Sequence, residues 1–89
     1  MAVYIVAYDL NKETRRPKIV EAIKAHDGWA MLSESSYAVA TSKSPDDVYA
    51  GLTGFLDEND QLYVITLKQP HVGFGPPQIN EWLSANLTW

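Results

Sequence analysis

The chain has 89 residues, a formal net charge of −4 and no cysteine. This length allows one domain with a single core, and a hydrophobic content of 46% is too high for a disordered chain. The missing cysteine excludes disulfide bonds and zinc–thiolate sites, and the acidic balance argues against a broadly basic nucleic-acid-binding surface.

The N-terminal residues MAVYIVAYDL lack the basic region and cleavage site of a signal peptide. No apolar run approaches the roughly 18 residues that a membrane span needs. We therefore expect a cytoplasmic protein with no membrane partner.

The first half of the chain predicts a strand, a helix and a hairpin. Residues 3–8, VYIVAY, form a continuous apolar run, which is typical of a strand buried on both faces. Pro17 fits the first turn of a helix that ends near Asp27 and Gly28. Residues 29–41 contain two apolar runs around the polar break SES and predict a β-hairpin.

The second half predicts a helix, a strand and a last helix. Ser44 is the expected N-cap, with Pro45 at the first helical position and Asp47 at the third position of a capping box. Residues 61–67, QLYVITL, predict a strand that is apolar on both faces. The loop 68–77 is rich in glycine and proline, and a helix follows it.

This order predicts an α+β, ferredoxin-like split βαβ fold (β-α-β-β-α-β) with an extra C-terminal helix. We expect one domain over residues 1–89, with a core at 1–67 and a loop and C-terminal helix at 68–89. Strands 1 and 4 are expected side by side at the sheet centre. Because both are apolar on both faces and two helices cover only one face, the second face needs the C-terminal helix, another subunit or both, and we expect a homodimer.

Four segments carry a family resemblance: YIVAYDL at the first strand, the basic start of the first helix, SSYAVA in the hairpin and the late strand DQLYVITL. Over residues 1–67 they resemble the CRISPR-associated protein 2 family, to which virulence-associated protein D is similar. Family members usually end in a strand that crosses to the partner. Residues 76–89 predict a helix instead, so the chain resembles a stand-alone member.

The resemblance implies a homodimer with facing sheets and a metal-dependent endonuclease activity, preferentially an endoribonuclease. It implies Asp9 as the catalytic residue and as the ligand of a loosely held Mg²⁺ or Mn²⁺. It also implies Arg15, Arg16 and Ser36 as substrate-binding residues, with Ser35 as the alternative alignment. The nucleic-acid partner is RNA or DNA. The alternative is a non-catalytic dimeric nucleic-acid-binding or regulatory protein on the same fold.

The chemistry of these residues leaves alternatives open. Two aspartates that meet across a twofold axis repel each other, and a divalent cation relieves the repulsion. The alternative for Asp9 is a local cap that accepts hydrogen bonds from the amides of Asn11 or Lys12. Arg15 and Arg16 suit phosphate binding because arginine offers paired donors.

The alternative for the arginines is salt bridges to Glu13 or Glu34, and more broadly a solvated helix face. For the serines near the hairpin turn, including Ser36, the alternative is turn chemistry. His26 falls on the apolar stripe of the first helix. His71 is expected to be exposed and is the better candidate for a general acid or base.

Overall fold

The computed structural model covers residues 1–89 and contains one four-stranded sheet and three α-helices. Its elements are β1 (Ala2–Asp9), α1 (Arg16–Lys24), β2 (Gly28–Ser33), β3 (Ser36–Thr41), α2 (Pro45–Leu52), β4 (Gln61–Thr66) and α3 (Pro77–Asn86). Short 3-10 turns, Glu13–Arg15 and Thr53–Phe55, precede α1 and follow α2. This order confirms the ferredoxin-like fold with an extra C-terminal helix. None of the helices is long and apolar enough to cross a membrane.

The sheet is antiparallel throughout, with the strand order β2-β3-β1-β4. β1 and β4 are neighbours, as predicted, but the expectation that β4 lies at the sheet centre is wrong. The β2–β3 hairpin places β3 against one edge of β1, so that β4 can pair only with the other edge. β1 and β3 are therefore central, and β4 is an edge strand.

Helices α1 and α2 cover the first face of the sheet and enclose the larger core. Ile19 and Ile23, one helical turn apart in α1, are fully buried, as is Leu52 of α2. The residues of this core are Tyr4, Val6, Tyr8, Leu10, Ile19, Ile23, Tyr37, Val39, Val48, Leu52 and Leu62. Every second residue of β1 contributes to it, because alternate residues of a strand point to the same face.

Helix α2 begins at the predicted cap. The Ser44 hydroxyl accepts a hydrogen bond from the Asp47 amide at 3.1 Å, and Pro45 is the first helical residue. The helix ends at Leu52 and tightens into a 3-10 turn that includes Phe55.

Helix α3 covers half of the second face of the sheet. Its contacts form a second core that consists of Val3, Ala30, Ala38, Ala40, Leu83 and Leu87. The three alanines lie on β2 and β3, and their small side chains let the helix pack close to these strands. The Gln69 amide also donates to the Thr88 carbonyl at 2.7 Å, which ties the loop after β4 to the chain end.

The other half of the second face has no cover within the chain. The β1–β4 pairing places Ile5 opposite Ile65 and Ala7 opposite Tyr63. Tyr63 is 63% exposed and Ile65 is 54% exposed. β4 is thus apolar on both faces, as predicted, but only its Leu62 side is buried in the core. We call Ile5, Ala7, Tyr63 and Ile65 the open patch.

We expect Leu83→Ala to lower the free energy of unfolding by about 2–4 kcal/mol, because it leaves a cavity between α3 and the sheet. Val72→Ala is the matched control, since Val72 is an exposed aliphatic residue of the loop before α3; it should change stability by less than about 0.5 kcal/mol. Urea unfolding of both variants measures the difference. Equal stability of the two variants would contradict the packing of α3 on its own sheet.

Candidate functional site

A shallow groove lies where β1 ends, beside the open patch. The strand pairing sets Asp9 opposite Gln61 of β4 and Ala7 opposite Ser36 of β3. The groove has a volume of about 280 Å³. Its lining residues are Ala7, Tyr8, Asp9, Ser35, Ser36, Gln61 and Tyr63. We call it the Asp9 groove, because Asp9 is its only carboxylate residue.

The Asp9 side chain is exposed and forms no hydrogen bond or salt bridge within the chain. The local cap considered from the sequence is not formed. The Asn11 amide donates instead to Asp60 Oδ1 at 2.6 Å. The Asp9 carboxylate is therefore available to an external ligand.

The hairpin serines form a small hydroxyl network at the groove. Ser33 Oγ lies 2.6 Å from Ser36 Oγ, and the Ser35 amide donates to Ser33 Oγ at 3.2 Å. Turn chemistry therefore accounts for Ser33. Ser36 belongs to this network and also lines the groove, so the structure brings Asp9 and Ser36 together.

Arg15 does not face the groove. Its Nη1 donates to Asp60 Oδ2 at 2.7 Å, and its Nη2 contacts Asp57. The expected partners, Glu13 and Glu34, are therefore wrong for Arg15. The pairing joins the turn before α1 to the turn before β4, and it already occupies both ends of the guanidinium fork.

For Arg16 the structure confirms the alternative of a salt bridge to Glu13. Its Nε lies 2.6 Å from Glu13 Oε2 and its Nη2 lies 3.0 Å from Glu13 Oε1, and it also donates to the carbonyl of Glu34. The pairing lowers the pKa of Glu13 and raises that of Arg16. The guanidinium lies 5.5 Å from the ring centre of Tyr8, whose pKa is raised by burial. Because Tyr8 and Asp9 are consecutive in a strand, their side chains point to opposite faces of the sheet.

The two histidines lie outside the groove. His71, expected to be exposed, is half-buried, and its Nδ1 lies 2.7 Å from Gln69 Oε1. His26 is also half-buried, and burial together with nearby Lys43 lowers its pKa. Neither histidine is placed to act on a group bound at Asp9.

Asp9 is the only carboxylate in the groove, and no three His, Cys, Asp or Glu side chains converge at one place in the chain. Mg²⁺ and Mn²⁺ prefer oxygen ligands, and Mg²⁺ usually keeps several waters and takes other ligands from substrate phosphates. A cation held at Asp9 would take its remaining ligands from water, from a bound phosphate or from another molecule.

Asp57 and Asp60, which lie just before β4, were not among the candidate residues identified from the sequence. Both pair with Arg15, from which they are separated by 42 and 45 residues. No periodicity or local spacing indicates a pairing at that separation. The sequence signal that bears on it is the coincidence of an acidic turn just before β4 with a basic turn just after β1.

We expect Arg15→Gln to raise the pKa of Asp57, because the hydrogen bond from Arg15 holds it below the ordinary value of 3.8. Because the pKa of Asp57 is lower in the folded state, its ionised carboxylate stabilises the fold at pH values above 3.8. This contribution is lost as the pH falls through the folded-state pKa. Carboxyl ¹³C NMR titration measures the change. Glu13, which pairs with Arg16, is the internal control and should keep its lowered pKa; an unchanged Asp57 midpoint would contradict the pairing.

The comparisons with known proteins support the fold. No protein-family model and no curated protein matches the chain. Among solved structures, it is similar to a hypothetical protein from Thermus thermophilus, with a TM-score of 0.63 and 25% sequence identity. The match covers 84% of this chain and 94% of the other. The chain thus shares a nearly complete small α+β domain with a solved protein.

Proposed function

We propose that the chain is a cytoplasmic, homodimeric, metal-dependent endonuclease similar to CRISPR-associated protein 2, with RNA as the preferred substrate. The observation that carries the proposal is the position of Asp9. Its carboxylate has no partner in the chain and lies at the border of an exposed apolar patch. Both features are consistent with the resemblance, which implies that paired aspartates meet where two sheets face each other.

A second copy is the proposed cover of the open patch. The uncovered side chains are apolar, and a contact between identical patches is the usual form of a twofold interface. Contact would remove Tyr63 and Ile65 from water, which is favourable by roughly 25 cal/mol per Å² of apolar area. Since the Asp9 groove shares Ala7 and Tyr63 with the patch, the same contact would bring the two grooves towards each other.

In this dimer the Asp9 carboxylates of both copies would hold the Mg²⁺ or Mn²⁺. A bound divalent cation would supply Lewis-acid polarisation of a phosphodiester. The Ser36 hydroxyl, which lines the groove, would donate a hydrogen bond to a phosphate oxygen while it accepts one from Ser33 Oγ. Arg15 and Arg16 would contact phosphate only through donors that remain after pairing with Asp57, Asp60 and Glu13 in the folded chain.

The pairing of the arginines favours a second candidate function, a non-catalytic dimeric binding or regulatory protein. Both guanidinium groups are engaged by carboxylates, and the formal net charge is −4. Phosphate binding would then draw mainly on the five lysines, all of which are exposed. This candidate keeps the dimer and the fold, and it dispenses with the metal.

We expect Asp9→Asn to reduce manganese-dependent cleavage of single-stranded RNA by about 100-fold or more, since it removes the one carboxylate ligand in the groove. Asp27→Asn, at an exposed carboxylate after α1, is the matched control and should cleave like wild type. Cleavage of labelled RNA and DNA oligonucleotides with Mn²⁺ or Mg²⁺ provides the measurement. Cleavage that persists in Asp9→Asn would reject the site, and an inactive wild type that still binds RNA would favour the non-catalytic candidate.

We expect Ile65→Glu to weaken self-association by about 100-fold, because it places an unpaired charge in the proposed interface. Ala50→Glu is the control, since Ala50 is an exposed residue of α2, which covers the opposite face of the sheet from the open patch. Sedimentation velocity over a concentration series distinguishes the two variants. A monomeric wild type, or an Ile65→Glu variant that dimerises normally, would reject the sheet-to-sheet dimer.

A further inference from the structure

One carboxylate outside the groove is more completely buried than any group within it. The Asp60 side chain is 0% exposed. Its Oδ1 accepts from the Asn11 amide at 2.6 Å, and its Oδ2 accepts from Arg15 Nη1 at 2.7 Å and from the Asp57 amide at 2.9 Å. A buried carboxylate is tolerated when it is paired and hydrogen-bonded, and Asp60 meets both conditions.

The three donors come from three segments that converge beside the Asp9 groove. Asn11 lies in the loop after β1, Arg15 lies in the 3-10 turn before α1, and Asp57 lies in the turn before β4. We call the Asp60 carboxylate, together with its three donors (the Asn11 amide, Arg15 Nη1 and the Asp57 backbone amide), the Asp60 clamp. It joins positions that are up to 49 residues apart in sequence.

The Asp60 clamp lies next in sequence to two residues that pair across the sheet, Asp9 of β1 and Gln61 of β4. Asn11 follows Asp9 by two residues, and Asp60 immediately precedes Gln61, which pairs with Asp9. Asp9 is the last residue of β1 and Gln61 is the first of β4. Strand ends fray more readily than strand centres. The hydrogen bond from the Asn11 amide to Asp60, just beyond the Asp9–Gln61 pair, therefore limits the motion of Asp9.

We infer that Asp60 is a positioning residue of the Asp9 groove: its buried carboxylate, held by Arg15 and the Asn11 amide, fixes the place of the Asp9 carboxylate. What the fixed carboxylate binds rests on the proposed function, whereas the positioning itself does not. Asp60 acts through the backbone, and its side chain is not part of the groove lining. Arg15 thereby has a role at this site other than the phosphate contact expected from the sequence.

Asp57 offers a matched comparison, because it binds the same guanidinium from a more exposed position. Its side chain is 36% exposed, against 0% for Asp60, and it accepts no hydrogen bond from the loop after β1. An exposed ion pair contributes little, whereas breaking a buried one leaves an uncompensated charge. Replacing Asp57 removes a partner of Arg15 alone, whereas replacing Asp60 also disturbs the hydrogen bond from the Asn11 amide. Comparing the two variants therefore separates these effects.

The test is NMR spectroscopy of Asp60→Asn and Asp57→Asn at temperatures well below unfolding. In Asp60→Asn one side-chain position becomes an amide donor that faces existing donors. We expect the Asp9 carboxyl ¹³C signal and the Gln61 amide signal to shift, and hydrogen exchange of the Asn11 amide to rise by about tenfold. In Asp57→Asn these three signals should stay at their wild-type values.

A folded Asp60→Asn protein with unchanged Asp9, Asn11 and Gln61 signals would overturn the inference. The same holds if Asp57→Asn gives equal shifts. Should Asp60→Asn fail to fold, Arg15→Lys is the second variant; it keeps the charge but loses the paired donors, so it should move the same signals in the same direction. An Arg15→Lys protein with wild-type signals would also overturn the inference.

The failure of this inference and the failure of the proposed function are distinguishable, because the NMR test needs neither metal nor RNA. A wild-type protein that cleaves nothing rejects the nuclease proposal and leaves the Asp9 signals to decide the positioning. If wild type does cleave, Asp60→Asn should be slower than Asp57→Asn at equal folded fractions. Equal cleavage rates would mean that the positioning does not matter to activity.

Discussion

The structure depends on one constraint: the sheet is apolar on both faces, but the helices of the chain cover only the first face and part of the second face. α1 and α2 complete the first face, and α3 extends over β2, β3 and the start of β1. The remaining area, the open patch, lies along β1 and β4. A small domain buries a limited share of its surface, so an apolar area of this kind favours a further binding partner.

Both arginines of the chain form ion pairs with carboxylates of the same chain. The basic segment after β1 and the acidic turn before β4 meet at Arg15, Asp57 and Asp60. Arg16 is paired locally with Glu13 and lies over Tyr8. Both arginines near the candidate site are thus paired within the chain, whereas Asp9 forms no ion pair.

The two parts of the candidate site differ in whether they have partners within the chain. Its scaffold, from the paired strands to the Asp60 clamp, is satisfied within one chain, whereas the Asp9 carboxylate and the neighbouring apolar side chains have no partner. In the proposed dimer a second copy would cover both, because the groove and the open patch share Ala7 and Tyr63.

The sequence by itself determined the elements, because apolar periodicity, the Ser44 cap and the turn residues act over a few neighbouring positions. The resemblance read from the sequence also named Asp9 and Ser36. Both line the groove, because Asp9 is the last residue of β1 and Ser36 is the first residue of the neighbouring β3. Tertiary structure alone decided that β4 is an edge strand, that α3 stays on its own sheet, and that Arg15 pairs with Asp60. These outcomes depend on contacts between residues that are at least 29 positions apart in the chain, for which the chain carries no local signal.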